Sequence, residues 1–185
     1  MAWAIDTTHS QIEFSVRHMM ISKVRGRFES FSGVVELDEQ NPTAARVDIS
    51  VDISSVDTRD EKRDGHLKSP EFFDAASFPS MQSVSTRVEQ TDDTHAKIHG
   101  DLSIRGVTRP VVLDAEFQGK AKSPWGTTSA GFNASTVINR EDWGLTWNVG
   151  LETGGVLVGK EVTIEIEAEL IEQVETATAA EPVAV

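Results

Sequence analysis

The strongest constraint in this chain is an alternation of apolar and polar residues with a period of two, recurring from one end to the other. From 44 to 53, Ala45, Val47, Ile49, Val51 and Ile53 fall on one face, and Arg46, Asp48, Ser50 and Asp52 on the other. From 162 to 170, Val162, Ile164, Ile166, Ala168 and Leu170 oppose Thr163, Glu165, Glu167 and Glu169. Successive side chains of a strand point to opposite sides, so these are strands with one wet face. The same test predicts strands near 11–18, 24–37, 80–89, 95–104, 110–118 and 127–138, which makes eight. Within 24–37 the apolar phase switches between Phe28 and Phe31, which predicts a β-bulge near Glu29 and Ser30.

One segment departs from the alternation. Thr58, Arg59, Asp60 and Glu61 have the form of a capping box, and the spacing predicts a short helix over 59–68, stopped by Pro70 and docked through Leu67, Phe72 and Phe73. Residues 171–185 lose the periodicity and read as a disordered acidic tail, leaving one domain over 1–170 without linker or repeat.

Eight antiparallel amphipathic strands leave two architectures, a sandwich or a closed barrel, both with the apolar phase inside. An eight-stranded barrel is just wide enough to be filled by side chains or to hold one small ligand. Its inward phase here mixes small residues (Gly26, Ala45, Ala96, Gly100, Ala115, Ala130, Ala134, Ala168) with Phe14, Phe28, Ile98, Leu102, Phe117 and Phe132. The small residues either leave a lumen or fit the taper of a packed interior.

Composition narrows the chemistry. A formal net charge of −13 repels a phosphate backbone, so nucleic-acid binding is not expected. There is no cysteine and no tyrosine, so any chemistry falls to five histidines, the carboxylates, Lys, Ser and Thr. The longest apolar run, Met1 to Ile5, is far short of a membrane span and no basic segment precedes it; the expectation is a cytoplasmic protein with no integral membrane segment.

His18 extends the phase of Ile12, Phe14 and Val16, so it points toward the apolar side, as a handle for a ligand or as a core histidine bonded to a carbonyl. His95 and His99 fall on the polar phase, His66 lies on the helix beside Asp64, and His9 precedes a strand in a turn position. No pair has metal-ligand spacing, so neither a metal nor a catalytic residue is assigned. GLETGGVLVG at 150–159 lacks a following helix, which removes a dinucleotide site. Two stretches carry no acid: Glu13 to Glu29, which holds Arg17, Lys23, Arg25 and Arg27, and Glu116 to Glu141. They could tolerate an anion, or their cations could pair with neighbouring strands.

These segments resemble the YceI-like, polyprenoid-binding family. The matching stretches are DTTHSQIEFSVRHMMISKVRGRFESFSG at 6–33, SVDTRDEKRDGHLKSPEFFDAASFPSM at 55–81, GDLSIRGVTRPVVL at 100–113, SPWGTTSAGFNASTVINREDWGLTWN at 123–148 and LETGGVLVGKEVTIEIEAEL at 151–170. The resemblance implies a lipocalin-like antiparallel barrel whose lumen holds a long isoprenoid or similar amphiphile, with the polar head near the mouth. The chain departs at Ser83, where members commonly place an aromatic, and at Lys160, where an acid is usual; many members carry an export signal, and none is expected here from the residues at 1–5.

A ligand of this kind is held mainly by its tail: at about 0.8 kcal/mol per buried CH₂, roughly twenty carbons offer on the order of 16 kcal/mol gross, against about 1 kcal/mol for an exposed cation on the head. Candidate lining residues are therefore Phe14, Val16, Phe28, Val51, Leu67 and Phe72, then Ile98, Leu102, Ile104 and Phe132, with Trp143, Leu145 and Trp147 from the RxDWGLxW segment. His18, Arg59 and His66 are the head-group candidates. The expected function is non-enzymatic binding, storage or transport of an isoprenoid lipid or quinone, with no cofactor and a homodimer as a plausible assembly. The alternative is an enzyme using His18 or His66 as acid or base beside a carboxylate such as Asp60.

Overall fold

A computed structural model describes residues 2–174. The strands are β1 (Ala2–Ile5), β2 (Gln11–His18), β3 (Ser22–Phe28), β4 (Phe31–Glu36), β5 (Arg46–Asp52), β6 (Val56–Asp57), β7 (Ser80–Gln90), β8 (His95–Ile104), β9 (Val107–Lys122), β10 (Thr128–Asn139) and β11 (Val158–Glu172), with one helix, α1 (Glu61–Lys68). All pairings are antiparallel, in the order β1-β4-β5-β7-β8-β9-β10-β11, and β11 returns to β1 to close an eight-stranded barrel. β2, β3 and β6 extend one side from β11.

The count of eight is explained by three long staves, each broken once. β1 and β2 share one edge of β11, Ile5 opposite Leu170 and Gln11 opposite Glu167. β3 and β4 form the next stave and β5 and β6 the third. Where a bulge is expected in the second stave, the ladder instead stops over Glu29 and Ser30, and Ser55 supplies the bonds: its carbonyl accepts from Glu29 N (3.2 Å) and its hydroxyl from Ser30 N (3.0 Å). β1 itself escapes the alternation test because its four residues are too few to establish a phase. At the other terminus the ladder runs to Glu172, two residues past the expected tail boundary; residues 175–185 of that tail lie outside the described residues.

At the break between β1 and β2, Ser10, 7% exposed, accepts from Glu169 N at 2.9 Å, while Asp6 N donates to Glu169 O at 2.8 Å. The Asp6 carboxylate accepts from Thr8 N (2.9 Å) and Thr8 Oγ1 (2.6 Å) and meets His9 Nδ1 (2.9 Å), so the turn role expected for His9 holds. The Thr8 hydroxyl, then His9, pull the Asp6 pKa from 3.8 down to about 2; the Asp6 carboxylate in turn raises that of His9 above 6.5. The contribution of Asp6 is complete above 3.8 and is lost as pH falls through about 2; that of His9 is complete below 6.5 and is lost as pH rises through its raised value. Asp6→Asn is accordingly expected to lower the melting temperature most between about pH 4 and 6.5, with the gap to the parent chain closing at low pH and narrowing only by the His9 share at high pH, where the Thr8 bonds to the carboxylate persist.

The helix forms where expected but begins later. Arg59 sits at φ +63° and Asp60 is the cap, its Oδ1 accepting from Lys62 N (3.0 Å) and Arg63 N (3.1 Å). Thr58 is not the cap: 4% exposed, its hydroxyl donates to Asp64 Oδ1 at 2.5 Å and accepts from Arg63 Nε at 2.8 Å, tying the helix to β6. The capping-box pattern fails because the left-handed residue at 59 moves the helical entry two residues along. Asp60→Ala is expected to lower the melting temperature, and Glu61→Gln to leave it unchanged.

Candidate binding site in the barrel

Inside the wall the apolar phases form three clusters. Trp3, Val35, Ala130 and Leu170, with Phe132 against them, close the end where β1 meets β11. Phe28, Val51, Ile53 and Val56 gather Phe14, Leu67 and Phe73 under α1. Leu102, Ile104, Trp143 and Leu145 form the third, and Phe73 and Met81 belong to both of the last two, bridging the mouth. Leu67 and Phe73 thus dock the helix as expected, and Phe72 beside them is 7% exposed.

The interior is capped but loosely filled. Ile53 is the one large side chain below 2% exposure among the described residues, and Phe14, Val16, Ile98 and Phe132 on the inward phase are only half-buried. Not every small residue contributes space: a Cβ on Gly26 would meet the Phe14 ring at 2.4 Å, and one on Gly100 the Val84 carbonyl oxygen at 2.7 Å. At these two positions the close packing of neighbours decides the residue. Ser83 faces inward opposite Ile49 and Leu102, and Ser85, next on that face, accepts from Val47 N at 2.8 Å.

Two cavities adjoin the third cluster, each lined in part by Trp143. The first, about 460 Å³, lies at the mouth and is lined by Pro70, Glu71, Arg105, Val107, Trp143 and Trp147 among others. The second, about 640 Å³, lies in the wall. β10 is laddered to β9 only from Asp114 and Ser135 downward, whereas β9 stays paired with β8 up to Val107 and β10 with β11 up to Asn139. Above that point the two strands part. Pro110, which has no N–H to give to a ladder, sits on this one-sided stretch of β9. The opening is lined by Val111, Thr136 and Ile138 from the inward phase and by Val112, Val137 and His99 from the outward one, with Trp143 shared between both cavities.

Trp143 is 2% exposed and its Nε1 donates to Leu102 O at 2.9 Å, so it is a partition between the two cavities rather than an open stretch of wall. The turn that places it is fixed by Arg140, 4% exposed, which donates Nε to Gly159 O (2.8 Å), Nη2 to Val158 O (3.3 Å) and Nη1 to Leu145 O. Burial lowers the pKa of this guanidinium, and it lies 5.9 Å from the centre of the Phe72 ring. Sequence reasoning missed Arg140, although it heads the RxDWGLxW segment; two of its three carbonyl partners lie on β11, which leaves no local pattern.

The head-group candidates separate. His66 packs edge-on against Trp147 (4.5 Å) and Phe72 (5.0 Å) and meets Glu71 at 2.6 Å, which places it beside the mouth cavity. Its carboxylate neighbour is Glu71, because Asp60 is engaged as the helix cap. His18 ends β2, half-buried, opposite Val158 and Ser22. Arg59 is exposed in the turn before α1. His95 bonds Asp92 (2.9 Å) and His99 bonds Arg87 (2.9 Å) on the outer face. Lys160 pairs with Glu141 at 3.2 Å. One grouping of metal-ligand type is present among the described residues, Asp6, His9 and Glu169, with donor atoms within 4.8 Å of one another; Glu169 comes from a distant strand, so spacing could not reveal it, and Asp6 and His9 already bond each other.

The class of molecule these features define is a closed antiparallel eight-stranded barrel with an apolar, incompletely filled interior. The chain matches the YceI-like domain over residues 3–170 and belongs to that family. It is 38% identical over 168 residues to a UPF0312 protein of Staphylococcus aureus strain MSSA476, covering 90% of this chain and 95% of that one. Among solved structures it is similar to the YCEI protein of Campylobacter jejuni (32% identity, TM-score 0.72, 85% of this chain and 90% of that one). It shares its fold with BcnA of Burkholderia cenocepacia (20%, TM-score 0.76, 91% and 99%) and with a polyisoprenoid binding domain from Saccharophagus degradans (14%, TM-score 0.68, 92% and 98%).

Proposed function

We propose that the chain is a non-enzymatic container that stores or carries a long-chain isoprenoid, free or as the tail of a quinone or phosphate. The observation that carries this reading is the combination of an apolar inward phase with incomplete filling: three clusters, half-buried aromatic and aliphatic side chains between them, and two openings that share one indole. The fold it shares with a polyisoprenoid binding domain supports the same reading. The tail lies along Phe14, Val16, Phe28, Ile98, Leu102 and Phe132, and the head sits at the mouth cavity near His66, with Glu71, Arg105 and Trp147 around it. His66 with Glu71 also has the composition of an acid–base pair, which keeps an enzyme as the second reading.

Ser83→Phe tests the path of the tail. A ring opposite Leu102 fills the interior without replacing a buried polar group, so the variant is expected to fold and to take up less isoprenoid, read as weaker quenching of tryptophan fluorescence by an isoprenoid quinone. Uptake equal to that of the parent chain would place the tail elsewhere. Loss of turnover of a bound lipid in His66→Ala, with binding intact, would favour the enzyme.

A further inference from the structure

The turn joining β2 to β3 carries three consecutive apolar side chains in solvent: Met19 is 43% exposed, Met20 57% and Ile21 79%. Met19 and Met20 hold φ of +52° and +64°, a left-handed backbone that side chains of this size seldom adopt. The turn is braced from behind. Met19 N donates to Leu157 O at 2.8 Å, a Cβ on Gly155 would stand 3.2 Å from Met20 Cγ, and Leu157 N donates to the carbonyl of Val149, itself 48% exposed. Apolar side chains held outward on a fixed turn, not folded back onto the barrel, mark a contact surface.

The charges behind the turn have one sign. On the outward face Arg17 stands opposite Lys23, and Arg25 opposite Ser15. The acids begin one row further along, where Glu13 stands opposite Arg27 and Glu165 opposite Glu13; Arg27 is spent on Glu29 (2.8 Å) and Asp57 (3.7 Å). Glu152 in the bracing loop and Glu161 on β11 are the other acids toward this end, Glu167, Glu169 and Glu172 lying further along β11, and no ion pair joins any acid to Arg17, Lys23 or Arg25 among the described residues. A chain of net charge −13 therefore presents an apolar tip backed by three cations without acid partners.

We propose that the Met19–Ile21 turn is a membrane-docking tip, which sets its three side chains among the headgroups of an anionic bilayer while Arg17, Lys23 and Arg25 meet the lipid phosphates. The occupant is chosen by charge and shape together: a zwitterionic surface has phosphates but no net negative potential to draw the cations, and an anionic surface without apolar depth offers nothing to the methionines. The tip lies at the end of the barrel where β11 begins, His18 being opposite Val158, so docking would bring the mouth toward the bilayer. The inference goes beyond the container reading and does not depend on it.

Flotation of the full chain with vesicles provides the test. The chain is expected to float with phosphatidylcholine vesicles that contain phosphatidylglycerol, not with phosphatidylcholine alone, and to release as salt shortens the Debye length. Met20→Glu with Ile21→Glu is expected to weaken binding by about tenfold or more, as is charge reversal at Arg17, Lys23 and Arg25. Trp125, 89% exposed on the β9–β10 turn at the opposite end, is the control, and Trp125→Ser should leave binding unchanged. Melting temperatures confirm that each variant is folded. No binding to either vesicle, equal binding by the tip variants, or loss of binding in Trp125→Ser would overturn the proposal. Extracted isoprenoid content, measured on the same preparations, separates this failure from failure of the container reading.

Discussion

Trp143→Ala is expected to cost about 3–5 kcal/mol of stability, measured by urea unfolding. The indole is 2% exposed, packs among Leu102, Ile104 and Leu145, and bonds the Leu102 carbonyl at 2.9 Å, so truncation loses apolar burial and a buried hydrogen bond together. The cavities on either side make collapse around the missing ring difficult, which puts the cost in the upper part of the range for large-to-small changes. Trp143→Phe retains much of the volume without the donor and should fall between. Trp125→Ala, at 89% exposure, should change nothing. If Trp143→Ala and Trp125→Ala unfolded at the same urea concentration, Trp143 would not be the partition described above.

Arg140→Met is expected to cost about 2–4 kcal/mol, with its effect concentrated in the segment from 140 to 159. The guanidinium donates to three carbonyls, of Leu145, Val158 and Gly159, and a buried acceptor left unmatched costs roughly 1–3 kcal/mol. Two terms moderate the loss: Val158 O keeps a bond from Asn148 Nδ2 at 2.7 Å, and the desolvation of a buried cation is relieved. Arg140→Lys should recover little of it, because a single ammonium cannot span carbonyls on two separated stretches of chain. Amide exchange is the informative readout: faster exchange in residues 140–159, with β4 and β5 unchanged, is the expected pattern, and uniform acceleration would mean that Arg140 holds the whole barrel.

The barrel was legible because its strands are long and have one wet face; β11 alone repeats the alternation from Val162 to Leu170. What escaped were features built from bonds between distant residues. The break at Glu29 and Ser30 changes the apolar phase, which local pattern can detect, but the hydroxyl and carbonyl of Ser55 that replace the ladder cannot be seen that way. The capping box at Thr58 was a sound local pattern overridden by a positive φ at Arg59 and a buried partner, Asp64. In the candidate site, the apolar lining followed from phase, as with Phe28, Val51 and Leu102. The roles of Trp143 and Arg140 did not, because both depend on side-chain bonds from the turn after β10 to other strands, Trp143 to β8 and Arg140 to β11, where no periodicity operates.

The central claim, that this barrel holds an isoprenoid chain, is tested most directly by native mass spectrometry of the purified full chain, followed by organic extraction. The account predicts a population carrying added mass, with the extract containing a lipid built of isoprene units, and conversion of any empty protein to that form when polyprenyl phosphate or an isoprenoid quinone is supplied. Protein found only at its bare mass, and remaining so after incubation with both lipids, would contradict it.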